Sequence, residues 1–136
     1  MELRIGVLAD YASVSENNKL NIMGIFTNIM SVTEPIVQPQ MMLVAQFEFD
    51  SSECGEKSIK IVLVEEDGQD IFSISGKVQI DRAADGGPSL LNQILRLNTI
   101  VFPKFGRYEF RIVLDGRTEC RIPLRVVRVV VPPDGK

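Results

Sequence analysis

Apolar and polar residues alternate along most of this chain, in runs separated by turn signals, and no long stretch carries a helical period. Residues 2–13 and 20–31 flank Ser15-Glu16-Asn17-Asn18-Lys19, an Asn-Asn turn suited to positive φ. Residues 41–49 follow a loop containing Pro35 and Pro39, and residues 58–66 and 70–80 flank Asp67-Gly68. Residues 89–101 follow the glycine-rich segment 81–88, and residues 107–114 and 118–131 complete the set. Leu90 to Leu97 suits either a strand or a short helix. About eight strands in 136 residues predict an all-β fold. The expected architecture is a single-domain antiparallel β-sandwich over residues 1–136, immunoglobulin-like or related.

Two hairpins test this reading. A two-residue type I′ turn at Asp67-Gly68 would set Leu63 against Phe72 and Ile61 against Ile74, so register and apolar pattern agree. In the second hairpin, Tyr108, Phe110, Ile112 and Leu114 share one face, as do Cys120, Ile122 and Leu124. Matching those faces pairs Ile112 with Cys120 and Phe110 with Ile122, with Asp115 to Arg117 as a three-residue loop. Pro123 cannot donate to a ladder, so its strand is expected to be an edge there.

Gly106-x-Tyr108-x-Phe110 resembles the tyrosine corner of immunoglobulin-like sandwiches, with Phe110 where antibody domains carry a cysteine. The first hairpin carries Ala9, Asp10, Lys19, Leu20, Ile22, Gly24 and Phe26. These residues resemble the opening of an uncharacterised bacterial family of small β-domains. The later Gly106–Gly116 segment fits the same pattern, and Asn18 stands where that family has glycine. The resemblance implies one small β-domain and transfers no catalytic residues.

Composition narrows the functions. Formal net charge is -3, against the basic balance of a nucleic-acid binder, so no nucleic-acid partner is expected. The chain has no histidine, which removes Ser-His-Asp and Cys-His catalysis and imidazole-based zinc sites. It has no tryptophan for sugar stacking. No catalytic residues, metal ligands or cofactors are therefore assigned. No run approaches the ~20 apolar residues of a membrane span, and the N-terminal apolar run is too short for a signal-peptide core. With Cys54 and Cys120 far apart, the expectation is a cytoplasmic protein with two free thiols and no membrane partner. Acids flank Cys54, which argues against a reactive thiolate. Cys120 is expected in the core.

Three features carry candidate function. On the outer face of the last hairpin, Arg111 lies opposite Arg121 and Arg107 opposite Arg125. Like charges directly opposed are unfavourable. Either an anionic ligand or acidic partner compensates them, or Glu109 and Glu119 interleave on a solvated face. The tail from Val126 to Val131 is apolar on both sides apart from Arg128, which nominates Val127, Val129 and Val131 for self-association, possible as a homodimer. The alternative is a closing strand covered by a loop. The acids Glu65, Glu66, Asp67 and Asp70 suit a solvated turn better than a calcium loop. The expected function is a non-catalytic protein-interaction module with an unidentified protein partner. The alternative is a small-molecule or anion-binding domain.

Overall fold

Met41 to Ala45 are five consecutive buried apolar residues, the signature of a strand covered on both faces. This segment is the middle of the fold. The structure, a computed structural model, describes residues 1–130 and builds nine strands from them. These are β1 (Glu2–Val14), β2 (Leu20–Phe26), β3 (Asn28–Ser31), β4 (Ile36–Phe49), β5 (Gly55–Glu65), β6 (Asp70–Ile80), β7 (Ser89–Phe102), β8 (Gly106–Leu114) and β9 (Arg117–Arg128). One sheet runs β2-β1-β4-β7 and the other β3-β9-β8-β5-β6. All pairings are antiparallel except β3 with β9.

The two sheets bury a common core. Phe47, Phe49 and Phe102 from the first meet Leu63, Phe110 and Ile112 from the second. Each fully buried side chain of this size contributes about 1.5–3 kcal/mol. At Gly6 the sheets approach closely: a Cβ there would stand 2.6 Å from the Cys120 sulfur. Cys120 is a core residue, as expected, and burial pushes its thiol pKa up. Cys54 is half-buried, with its sulfur 3.6 Å from Ser89 Oγ; both thiols are free.

Several expectations need correction. Residues 20–31 are not one strand. They divide at Thr27, with β2 paired to β1 and β3 crossing to the other sheet beside β9. That division raises the count from eight to nine. Local alternation cannot mark the break, because both halves are strands and only the pairing partner changes. Strand β4 starts at Ile36, not residue 41, and passes through Pro39. Its pairing with β1 spans only Met42 to Glu48, so Pro39 lies beyond that ladder. Leu90 to Leu97 is strand, with all eight residues matched against β4.

The turns also differ from expectation, although the core registers hold. Leu63 faces Phe72, Ile61 faces Ile74, Ile112 faces Cys120 and Phe110 faces Ile122. In the β5–β6 turn, however, only Gly68 has positive φ (90°), whereas type I′ requires it at both central residues. The loop holds three residues, closed by the Glu65 N–H donating to Gln69 O at 2.9 Å, and a register shift beside Ile71 restores the pairing. The β8–β9 turn is the reverse case. Asp115 and Gly116 both have positive φ (47° and 81°), making a two-residue turn, and a shift beside Glu119 restores register.

The first hairpin uses the three-residue form again. The Ser15 N–H donates to Lys19 O at 2.8 Å, with Asn18 at φ 59° in the position Gly68 fills elsewhere. Asparagine tolerates that conformation better than other side-chain-bearing residues, which accounts for its standing where glycine is expected. Gly24 is required for a different reason. Its φ is 71° and the Asp10 carboxylate packs against its Cα, so no Cβ fits.

Candidate functional site

The β8–β9 hairpin projects its charged side chains from the outer face of the five-stranded sheet. Arg107 pairs with Arg125, Glu109 with Pro123 and Arg111 with Arg121, as the sequence register requires. The Arg125 N–H bonds Thr27 O at 3.0 Å, pointing away from β8. By alternation all three pairs are of the non-hydrogen-bonded kind, in which side chains stand closest, with Cα atoms about 4.5 Å apart. The same alternation aims the Pro123 nitrogen to the β3 side. Since β3 covers only Arg125 to Arg128, the missing donor lies at an open stretch of edge, as expected.

The two arginine pairs are handled differently. Glu109 Oε2 accepts from Arg111 Nε at 2.5 Å and from Arg121 Nη1 at 3.0 Å. The Arg111 hydrogen bond, with help from Arg121, holds the Glu109 carboxyl below the usual carboxylate range. Glu119 instead reaches Arg117, at 3.7 Å. Arg107 and Arg125 make no ion pair among the described residues. Beneath the charged layer, Val62 and Val64 of β5 are buried although they face outward, alongside Arg111 and Glu109. The aliphatic stems of these long side chains cover them.

Tyr108 sets where this face begins. Its hydroxyl donates to Lys104 O at 2.6 Å, and its ring meets Phe102 edge-on at 4.9 Å. Burial pushes its pKa up. This hydroxyl-to-backbone hydrogen bond pins the residue next to Arg107.

A cleft of about 290 Å³ separates this face from the β5–β6 tip, lined by Val64, Glu65, Glu66, Arg107, Glu109 and Arg111 among others. Glu66 folds over Gly106, where a Cβ would lie 2.7 Å from its Oε1. Glu65 is buried and burial raises its pKa; the Asp67 carboxyl beside it raises it further. Asp67 is lowered, chiefly by the backbone N–H of Gln69. These acids form no metal-holding group of three among the described residues. The chance that Glu66 meets Gly106 was not legible in sequence, because the two residues lie on different hairpins.

The apolar tail is placed differently from the arginines. Val127 is half-buried and pairs with Met30 of β3, Val129 is exposed, and Val131 lies outside the described residues. Arg128 lies 4.7 Å from the Phe105 ring centre. β3 covers one side of β9 from Arg125 to Arg128, and β8 covers the other side only as far as Val126.

No helix among the described residues is long and apolar enough to cross a membrane. A family model described as a family of unknown function (DUF6941) matches residues 4–127, and the chain belongs to that family. No curated protein matches the chain.

Proposed function

We propose that this member of a family of unknown function is a non-catalytic protein-interaction module. Its contact surface is the Arg107–Arg125 end of the five-stranded sheet, and its partner presents an acidic segment. One observation carries this reading. Two like charges face each other at a close cross-strand position with no ion-paired carboxylate among the described residues, while the pair two steps along the same strand has one. Arginine presents a planar fork suited to bidentate contact with carboxylates. Pro123 keeps an added strand off the neighbouring edge, so the partner lies across the face.

The strand order β9-β8-β5-β6 and the Tyr108 hydrogen bond support an immunoglobulin-like assignment of the sandwich. Two free thiols support a cytoplasmic setting.

The test is a titration of the isotope-labelled protein with hexaglutamate, followed by amide shifts. The expected shifts centre on residues 106–108 and 124–126, fade with salt, and vanish in the Arg107→Glu, Arg125→Glu double variant. Shifts of equal size around Arg111 and Arg121, or no shifts at all, would sink the proposal.

A further inference from the structure

We propose that the free edge of β7 is a self-association surface, pairing antiparallel with β7 of a second copy so that two four-stranded sheets join. This inference does not depend on the arginine face. β7 pairs with β4 on one side and with no strand on the other, among the described residues. Before Thr99 turns the backbone to positive φ (54°), Ser89 to Asn98 run as ten uninterrupted residues, about 33 Å of strand.

Among the described residues, the other three edge strands and the part of β9 that β3 leaves uncovered carry devices against pairing. β2 is broken by the positive φ of Gly24, and β3 has four residues. β6 carries Asp70, Gly76 and Lys77, and the uncovered part of β9 carries Pro123 between arginines. The ten residues of β7 contain no proline, no glycine and a single charge, Arg96.

The edge is also complementary to itself. An antiparallel pair about a twofold axis matches the strand with its own reverse. Axes through Gln93 or Ile94 set Arg96 opposite Leu90 or Asn92, never opposite its own copy. Alternate residues offer outward N–H and C=O groups, so the pair closes roughly ten hydrogen bonds. The side chains gain on both faces. Leu91 and Leu95 are only partly buried against the main core, and Ile94 only partly against a second apolar cluster around Met42 and Val44. A second β7 continues both layers. An edge about 33 Å long and ~10 Å deep buries about 330 Å² per copy, below the ~800 Å² of a standard interface. The dimer is therefore reversible and concentration-dependent.

Sedimentation from ~10 µM to ~1 mM, with hydrogen exchange at both ends of that range, tests the proposal. The expected result is a monomer–dimer equilibrium in which amides of residues 90–98 slow with concentration. Leu90→Lys with Asn98→Lys alters two exposed positions. In both registers it sets like charges opposite each other, and the dissociation constant should rise about tenfold or more. A monomer throughout the range overturns the proposal. So does a dimer that the variant leaves unchanged, or one whose protected amides lie on β9 or at Val127 and Val129.

Discussion

Arg111 with Arg121 and Arg107 with Arg125 are the same cross-strand pair, repeated four residues apart on one face of one hairpin. The first is closed by Glu109, which accepts from both arginines. The second would need an acid on β8 or β9 at the next outward position. On β9 that position is the apolar Val127, and Glu66 from the neighbouring hairpin folds over Gly106 without pairing with Arg107. The difference shows that like charges in a sheet have a fate set pair by pair. A single interleaved carboxylate turns one pair into structure and leaves the other available.

The largest effect expected from breaking this comparison comes from the residue between the two arginine pairs. Tyr108→Phe removes the donor to Lys104 O and should cost about 1–3 kcal/mol in urea denaturation. Amide exchange should quicken around residues 104–107 and hardly change at 111–113, because only the Arg107 end depends on that corner. Uniform quickening would mean that the two ends are one cooperative unit.

Glu109→Gln should cost about 1 kcal/mol or less, as expected of a partly exposed ion-pair network. It should also make the Arg111–Arg121 pair behave like its neighbour, adding hexaglutamate shifts around residues 110–112 and 120–122. Smaller still, Arg125→Glu should stabilise by about 0.2–1 kcal/mol by giving Arg107 an opposed carboxylate. Arg121→Glu should not, since it sets a second acid beside Glu109. Urea midpoints of the two variants, which change the same charge on the same strand, decide this directly.

The pH dependence sharpens the contrast least in energy but separates its causes. Glu109 is held below its ordinary range, so its stabilisation is complete above the unfolded value of about 4.3 and is lost as pH falls through the lower folded value. Glu65 has the opposite sign. Burial raises its pKa, so its contribution is full below the unfolded value and is lost as pH rises through the folded one. Glu109→Gln should flatten the acid limb of thermal melts. Glu65→Gln should instead raise the melting temperature at neutral pH.

The two Asp-Gly turns show how far a sequence can be read. Asp67-Gly68 and Asp115-Gly116 are the same dipeptide between apolar runs, yet the first closes a three-residue loop and the second a two-residue turn. The core pairs were legible in both, because Leu63, Phe72, Ile112 and Cys120 must face inward whatever the loop does. The turn type was not, because a shifted residue beside Ile71 or Glu119 absorbs the difference. The facing arginines followed from the same inward pairs, and so were legible. Which pair would find an acid was only half legible. Glu109 was visible as a neighbour, but Glu119 turned to Arg117.

By itself the sequence determined the all-β class, the inward rows of each hairpin and the outward arginines, since period-two alternation leaves each side chain one face to occupy. Tertiary structure alone decided where residues 20–31 change sheets, that Pro39 belongs to a strand, that Leu90 to Leu97 extend against β4, and which edges stay open. Those outcomes depend on which strands become neighbours. Partner choice is settled by burying the common core of the two sheets, which no local pattern records.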